Sequence, residues 1–243
     1  MVSVCMATHN GEKYLKEQIE SILLQLSDND ELIVSDDEST DNTLAILEAI
    51  NDGRIKVLHH KAIAGMPGFL CATANFENAL QQAQGDYIFL ADQDDVWVPD
   101  KVEVSIRYLQ KYDYIVSDAY VTDEKLNVVS ETRFTKEEKV YFNKYLAVVL
   151  STPYQGSCAA FRRCVIEKAM PFPYGIQSHD RWIGNVAAFF FKLKIVPEKL
   201  IYYRRHIGAT SNAFGKHDRP ASLTMTLVYK WRYIKGLINR ISR

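Results

Sequence analysis

Three short apolar stretches in the first 95 residues each end in a polar cluster, and this repetition constrains the fold more than any other feature. A short stretch that is apolar throughout is typical of a strand buried on both faces of a sheet. Amphipathic segments separate the stretches. In the first segment, Leu15, Ile19 and Ile22 fall at helical spacing. The apolar stretches cover residues 2–6, 31–34 and 87–90, and the polar clusters cover residues 8–10, 36–39 and 92–95.

Strands that alternate with helices predict an α/β fold with a mainly parallel sheet flanked by helices. A further strand is predicted at residues 54–58, after a helix that contains Leu44, Leu47 and Ile50. Ligands of such sheets bind at the carboxyl ends of the strands. We therefore expect the three polar clusters to meet at one edge of the sheet and to form the functional site.

The second half of the chain has a different pattern. After about residue 113 the predicted strands are shorter and less regular, and no internal repeat is found. We expect one domain made of two halves, residues 1–112 and 113–215, followed by a tail (216–243). The predicted strands cover residues 114–116, 156–161, 194–196 and 200–203, a hairpin covers 120–129, and helices cover 136–150 and 180–191.

Composition excludes several classes of protein. The 243 residues include 29 lysines and arginines against 30 acids, for a net charge of -1, so no global charge favours a nucleic acid partner. The four cysteines form no CxxC pair and are predicted to be reduced. We find neither a signal peptide pattern nor the run of about 18 apolar residues that a spanning helix needs. The sequence thus predicts a cytoplasmic protein.

The tail is basic and amphipathic. It contains Lys230, Arg232 and Lys235 but no acid after residue 220, and Leu227 and Trp231 begin an apolar stripe. Such a helix suits an anionic membrane surface, which would place the protein at the cytoplasmic face of the inner or plasma membrane. The alternative is an ordinary terminal helix that packs on the domain or on a partner chain.

The cluster at residues 92–95 contains three carboxylates within four residues. Asp92, Asp94 and Asp95 would repel one another without a neutralising partner. Mg²⁺ and Mn²⁺ are held by one or two carboxylates together with substrate phosphates, so a divalent cation explains the cluster. A helix N-cap is the alternative, but it needs only one carboxylate.

The cluster at residues 36–41 is also acidic, and a parallel sheet brings it close to Thr8 and Asn10. Asp36 can accept a hydrogen bond from the N3–H of a pyrimidine, and Asn10 can complete the recognition of the base edge. Neither a GxGxxG turn nor a Walker lysine motif is present, which disfavours a dinucleotide site or a P-loop. These residues predict a nucleotide site of another kind.

Five motifs together resemble bacterial family 2 glycosyltransferases. In order they are ATHNGEKYL, IVSDDESTDNT, GDYIFLADQDDVWVPDK, SHDRW and YYRRH, and they extend over about residues 2–206. The ADQDDVW and HDRW forms are most similar to the rhamnosyltransferase-like subset. The resemblance implies a GT-A fold, which is a Rossmann-like nucleotide-diphospho-sugar transferase fold, and inverting transfer of a sugar. It also implies that residues 1–112 are the nucleotide-sugar-binding half of the domain and residues 113–215 the acceptor-binding and catalytic half.

The resemblance also implies roles for individual residues. Asp180 matches the catalytic base, and Mg²⁺ or Mn²⁺ is the implied cofactor. The chain has Thr73-Ala74-Asn75 where family members often have a basic residue, so the diphosphate must be neutralised elsewhere. The donor nucleotide residues are Thr8, Asn10, Asp36, Asp37 and Asp92, the metal ligands are Asp94 and His206, and the diphosphate or acceptor residues are Lys61, Arg181, Trp182, Arg204 and Arg205.

The implied reaction transfers one sugar from a nucleotide-diphosphate sugar to a hydroxyl of a surface-polysaccharide or lipid-linked glycan. L-rhamnose from dTDP-rhamnose is the first expectation, and a UDP-hexose is the second. The glutamine–arginine–tryptophan motif of processive synthases is missing, which favours addition of a single sugar. A sugar nucleotidyltransferase is disfavoured because its glycine-rich basic loop is absent. A signalling module with an acidic pocket leaves residues 150–206 unexplained.

Overall fold

Nine strands form one sheet in the computed structural model of the chain, which describes residues 1–61, 65–134, 154–206 and 223–241. The order across the sheet is β3-β2-β1-β4-β8-β6-β9-β5, and β7 pairs with β6. The strands are β1 (Val2–Thr8), β2 (Glu31–Asp37), β3 (Ile55–His60), β4 (Tyr87–Asp92), β5 (Val96–Trp97), β6 (Tyr114–Thr122), β7 (Val128–Ser130), β8 (Ala159–Arg162) and β9 (Leu193–Arg204).

Helices follow most strands of the first half and flank the sheet. Their apolar stripes face the core, and Leu15, Ile19 and Ile22 of the first helix are completely buried. Burying each such side chain contributes about 1.5–3 kcal/mol. The helices are α1 (Leu15–Leu23), α2 (Thr43–Ile50), α3 (Gly68–Gln81), α4 (Lys101–Leu109), α5 (Arg163–Ala169), α6 (His179–Phe190) and α7 (Leu223–Ile241).

The first four strands of the chain are parallel, as the alternation of strands and helices predicts. Their register places Thr8 opposite Asp36 and Ala7 opposite Asp92. The three polar clusters therefore lie side by side at the carboxyl edge of this part of the sheet.

The second half completes the same sheet with both strand directions. β8 lies between β4 and β6 and is antiparallel to both, whereas β6 and β9 are parallel. The predicted strand at residues 156–161 begins instead with a 3₁₀ turn, Gly156–Cys158. The hairpin of β6 and β7 is as predicted, and the helix predicted at 136–150 lies outside the described residues.

The two strands predicted at 194–196 and 200–203 are one strand, β9, with an irregularity between them. Ser117 pairs with Val196 and Asp118 pairs with Lys199, so two residues of β9 are passed over. One of the two is Pro197, which has no N–H to donate to a sheet. The proline therefore causes a local bulge and does not end the strand.

The C-terminal helix α7 packs on the domain through one face. Tyr233 and Leu237 are buried, and Gly236 is so close to Trp182 that an added Cβ would lie 2.8 Å from its ring. Arg240 donates to the backbone carbonyls of Lys168 and Ala169 at the end of α5. Among the helices that the structure describes, none combines the length and hydropathy of a membrane span.

Candidate active site

Two acidic segments that lie far apart in the sequence meet at the carboxyl end of β4. Asp92 ends this strand, and Asp180 is in the first turn of α6. Burial, together with the charges of Asp94 and Asp180, raises the pKa of Asp92 to about 7. Gly156 lies between the two segments. If it had a side chain, the Cβ would lie 3.6 Å from Asp180 Cβ and 3.8 Å from Leu90 Cδ1. The site thus concentrates negative charge.

Asp94 and His206 form a contact pair at this edge. His206 Nε2 donates to Asp94 Oδ2 over 2.8 Å, and their side chains are 12% and 20% exposed. The ring of Tyr14 lies 4.8 Å from the imidazole, centre to centre, and limits its rotation. A carboxylate oxygen and an imidazole nitrogen that face each other fit a divalent cation, which would replace the shared proton.

The two side chains do not make a complete metal site by themselves. In the part of the chain that the structure describes, no group of three histidine, cysteine or acidic side chains has metal-binding geometry. Mg²⁺ and Mn²⁺ commonly keep several positions for water and for substrate phosphate oxygens. Asp94 and His206 therefore suit a cation that binds together with a phosphorylated ligand.

Asp95, the fourth residue of the cluster, faces the core. It is fully buried, and its Oδ1 accepts the backbone N–H of Arg204 over 3.0 Å. Burial and the charges of Asp94 and Asp92 raise its pKa well above the usual range. Asp95 thus joins the end of β4 to β9 and is not exposed to a ligand.

Asp36 lies in a second cluster with Thr8 and Ser39. The Thr8 and Ser39 hydroxyls donate to Asp36 Oδ1 over 2.9 and 2.6 Å, and the Ser39 N–H donates to Oδ2 over 2.9 Å. A carboxylate has about four acceptor positions, so one is not used by these three bonds, on a side chain that is 1% exposed. Glu38 has a left-handed backbone, with φ of 52°, that turns the chain so that Ser39 reaches back to Asp36.

Asn10 connects the same two loops. Its N–H donates to Ser39 Oγ over 2.9 Å, and its Oδ1 accepts the N–H of Thr40 over 2.8 Å. The backbone of Asn10 is also left-handed, with φ of 49°, a conformation that asparagine tolerates better than most residues. Thr8, Asn10 and Asp36 therefore come together as the sequence predicts.

Asp37 does not join them. Successive side chains of a strand point to opposite faces, and Asp37 Oδ1 accepts from His60 Nδ1 of the neighbouring strand over 2.7 Å. Its carbonyl accepts from His9 Nδ1 over 2.6 Å. The prediction that Asp36 and Asp37 serve one nucleotide is therefore corrected: Asp37 supports the loop after β1 from the other face.

The cations predicted for the diphosphate are dispersed. Arg204 is only 4% exposed, and its guanidinium donates to the carbonyls of Asp94 and Glu124 and to the carboxylate of Glu17. This corrects its predicted role, because these bonds make it an internal clamp. Lys61 is exposed and follows β3, about 14 Å or three strand spacings from β4.

Three further residues are predicted to contact the diphosphate or the acceptor, and two of them directly follow Asp180. Trp182 is completely buried, and its Nε1 donates to the Ala169 carbonyl over 2.9 Å, so it cannot contact a diphosphate or an acceptor. This prediction is wrong because the motif does not reveal which face of α6 is buried. Arg181 is half-buried beside the ring of Tyr233, and Arg205 is exposed after β9.

Sequence reasoning missed several residues that build the site. Gln155 Nε2 lies 3.4 Å from Asp92 Oδ2, and Gln93 exchanges two hydrogen bonds with the backbone of His9. Lys101 is buried and donates to the Ser157 carbonyl over 2.7 Å. The position of Lys101 on the helix face that also contains Val104, Ser105 and Leu109, a mainly apolar face, is the signal that could have identified it.

The chain belongs to a known family. Residues 3–169 match the family described as Glycosyl transferase family 2, which confirms the family resemblance of the motifs.

Two related proteins illustrate the family. The UDP-Glc:alpha-D-GlcNAc-diphosphoundecaprenol beta-1,3-glucosyltransferase WfgD of Escherichia coli is 33% identical over 147 residues, which are 60% of this chain and 55% of WfgD. The dTDP-rhamnosyl transferase RfbG of Shigella flexneri is 36% identical over 104 residues, which are 42% of this chain and 35% of RfbG. The chain thus aligns with about half of WfgD and a third of RfbG.

Solved structures show the same fold. Residues 1–349 of TarS from S. aureus, in complex with UDP-GlcNAc, are 20% identical and superpose with a TM-score of 0.69 over 98% of this chain and 72% of that one. A mannosyltransferase from Pyrobaculum calidifontis, in complex with GDP-Man and Mn²⁺, is 16% identical, with a TM-score of 0.62 over 99% of this chain and 68% of that one. The fold is GT-A, as the resemblance implies.

Proposed function

We propose that the protein is a metal-dependent, inverting glycosyltransferase that moves one sugar from a pyrimidine nucleotide-diphosphate sugar to a hydroxyl of a lipid-linked glycan. The observation that supports it best is the meeting of Asp92, the Asp94–His206 pair and Asp180 at one sheet edge. Three carboxylates and a histidine at the end of a strand suit a diphosphate that binds together with a cation. The acidic residue on α6 remains available for the acceptor.

The nucleotide end of the donor fits the cluster of Thr8, Asn10 and Asp36. Asp36 has one free acceptor position, which suits the N3–H of uracil or thymine. Thr8 lies opposite Asp36 and directly follows Ala7, which is opposite Asp92. A nucleotide bound along this edge would place its base at β2 and its diphosphate at β4, beside the proposed metal site at Asp94 and His206.

The metal fits the other end. Asp94 and His206 would hold Mg²⁺ or Mn²⁺, and the complex of the similar mannosyltransferase contains Mn²⁺. Such a cation acts as a Lewis acid on the departing diphosphate. Of the cations expected to neutralise the diphosphate, Arg204 is bound internally and Lys61 lies three strands from β4, which favours a metal ion in this role.

The hydrogen bonds of Asp180 support a role in proton transfer. Its Oδ1 accepts from the Ser178 hydroxyl and from the Arg181 N–H, the latter over 2.6 Å. These bonds fix the carboxylate and leave Oδ2 to take the proton of an acceptor hydroxyl. As the proton leaves, the hydroxyl oxygen attacks the anomeric carbon, and the diphosphate departs from the opposite face of the sugar.

Two donors satisfy these requirements. The motifs favour dTDP-L-rhamnose, and RfbG is named as a dTDP-rhamnosyl transferase. WfgD is named for UDP-Glc, which makes a UDP-hexose the other donor. WfgD is also named for a diphosphoundecaprenol-linked acceptor, which motivates the lipid-linked glycan.

A binding panel tests the proposal. Calorimetry with dTDP-rhamnose, UDP-glucose and GDP-mannose, each with and without Mn²⁺, should show metal-dependent binding of one pyrimidine donor and none of the purine donor. His206→Ala should abolish the effect of Mn²⁺, whereas the control His59→Ala, at an exposed histidine on β3, should not. Equal binding with and without Mn²⁺ would contradict the metal role, and binding of GDP-mannose alone would contradict the base assignment.

A further inference from the structure

The C-terminal helix α7 has two different faces. Its inner face contains Tyr229, Tyr233 and Leu237, which are buried against the domain. Its outer face exposes apolar side chains that the described part of the chain does not cover. These are Leu227 (61% exposed), Trp231 (61%), Ile238 (56%) and Ile241 (66%), which we call the exposed stripe.

The exposed stripe is continuous. A helix advances by about 100° per residue, so its four members fall within an arc of about 80° whose centre is about 120° from Tyr233. A narrow apolar stripe of this length on a water-facing helix is unfavourable unless another surface covers it. The stripe therefore needs an occupant.

Charge identifies the occupant. Lys230 and Lys235 flank the exposed stripe, one on each side, and the helix contains no acidic residue. Arg232 and Arg240 lie toward the domain, where they donate to carbonyls such as that of Gly175. A second copy of α7 would bring like charges together, whereas anionic lipid headgroups neutralise the lysines and accept the apolar side chains below them.

We infer that α7 docks the protein on an anionic lipid surface through the exposed stripe. Trp231 is the largest side chain of the stripe, and tryptophan is enriched at the boundary between headgroups and hydrocarbon. Lys230 and Lys235 are long enough to keep their ammonium groups at the level of the headgroups while their aliphatic parts follow the stripe.

The inner face of α7 connects this surface to the site. Tyr233 Oη accepts the N–H of Ser178 over 3.1 Å, and the Ser178 hydroxyl donates to Asp180. Gly236 of α7 also allows close approach to Trp182 of α6, the helix that begins beside Ser178 and contains Asp180. Docking through α7 would hold Asp180 near the lipid surface, where a lipid-linked acceptor is presented; this consequence rests on the proposed function.

Vesicle co-sedimentation of the full chain tests the inference. The protein should bind vesicles of phosphatidylcholine with 30% phosphatidylglycerol at least about tenfold more tightly than pure phosphatidylcholine, and salt should weaken the binding. The variant W231E/I238E should lose at least about tenfold of this affinity. The matched control L24E/V129E adds the same charge at exposed apolar positions outside α7, where Leu24 and Val129 are 87% and 62% exposed, and should bind as wild type does.

Three results would overturn the inference. They are equal binding by W231E/I238E and wild type, equal loss in the control variant, and a wild-type dimer that becomes monomeric in W231E/I238E while neither binds vesicles. Donor binding by calorimetry separates this inference from the proposed function. Anionic vesicle binding without any nucleotide-sugar binding would leave the docking helix in place and refute the enzyme. Turnover without vesicle binding would support the enzyme and refute the docking helix.

Discussion

Asp180 is held by the Ser178 hydroxyl and the Arg181 N–H at the start of α6, so its carboxylate has one defined orientation. Asp180→Asn keeps the shape and the helix start but removes the proton acceptor. We expect kcat for transfer to fall by about 10²–10⁴-fold, because general base catalysis contributes this much. The donor Kd should change far less than kcat, because in the proposed function Asp180 faces the acceptor and affects the donor site only through its charge near Asp92.

Steady-state kinetics and calorimetry of Asp180→Asn check this prediction, with Asp28→Asn as the control at an exposed aspartate outside the site. Transfer by Asp180→Asn at near the wild-type rate would show that another group takes the proton. A parallel loss of donor binding would instead place Asp180 on the donor side of the reaction.

Asp92 predicts a pH dependence of donor binding. Burial, with Asp94 and Asp180 nearby, raises its pKa to about 7. Below this pH a proton on Asp92 competes with binding of the donor and its Mn²⁺ ion. Near pH 6 about a tenth of the Asp92 carboxyl is ionised, and near pH 8 about nine tenths is. Mn²⁺-dependent donor affinity should therefore rise by up to about tenfold from pH 6 to pH 8.

Calorimetry at pH 6, 7 and 8 measures this rise. Asp92→Asn should bind more weakly and should lose most of the pH dependence, because its side chain does not titrate. A decrease in affinity toward pH 8, or the same slope in the variant, would show that a different group controls binding.

At the residue scale, the sequence predicts which residue types gather at the edge but not which way they face. Thr8, Asn10 and Asp36 come together because short parallel strands put their ends side by side. The side chain of Asp37 points to the opposite face of the sheet from Asp36 and bonds His60. Arg204 is bound by Glu17, and Trp182 is in the core. These orientations depend on tertiary packing, which the motif letters do not encode.

At the scale of elements, α4 begins with an unusual residue. Lys101 is completely buried, packs 4.9 Å above the Trp97 ring and donates to the Ser157 carbonyl over 2.7 Å. It thereby joins α4 to the Gly156–Cys158 turn beneath Asp92. A lysine in the first turn of a helix ordinarily points to solvent, so helical periodicity alone does not predict this connection.

Lys101 predicts a pH dependence of stability. Burial lowers its pKa to about 8 from 10.5, so between these values the unfolded chain binds a proton that the folded chain has released. The free energy of unfolding then increases with pH in this range. We expect wild type to gain about 1 kcal/mol from pH 7 to pH 9 relative to Lys101→Met, in which this group is missing.

Urea unfolding at pH 7, 8 and 9 measures this gain. The control Lys111→Met removes an exposed lysine at the end of α4, and its difference from wild type should not vary with pH. A Lys101→Met difference that is constant over the range would show that Lys101 titrates at the same pH in the folded and unfolded chains.

Among the elements, the parallel strands and the helices between them could be predicted because their patterns are local. The insertion of β8 between β4 and β6 could not, because it pairs residues more than 40 positions apart in the sequence. The short strand β5 has only two residues, too few for a period, and it is defined by its pairing with β9.

At the scale of the whole molecule, the sheet joins the two halves of the chain. β8 belongs to the second half and pairs with β4 of the first, and Val96 and Trp97 of β5 pair with Tyr202 and Ile201 of β9. Neither half can separate from the other or unfold alone without losing these strand pairings. Whether residues 1–112 and 113–215 are halves of one domain stays a prediction that unfolding experiments can test.

The three tryptophans allow the two halves to be followed separately. Trp97 is buried in the first half, Trp182 is buried in the second, and Trp231 lies in the exposed stripe of α7. W182F/W231F leaves Trp97 as the reporter, and W97F/W231F leaves Trp182. We expect each variant to give one fluorescence transition that coincides with its own far-UV circular dichroism transition, because a shared sheet makes unfolding cooperative.

Each variant serves as its own reference, since removing a buried tryptophan lowers stability and shifts the midpoint of all its transitions together. Fluorescence and circular dichroism midpoints that separate within one variant would show that one half unfolds before the other. In that case the pairings of β8 with β4 and of β5 with β9 would be too weak to couple the halves. If the second half unfolded first, the edge where Asp92 and Asp180 meet would open before the parallel strands of the first half unfold.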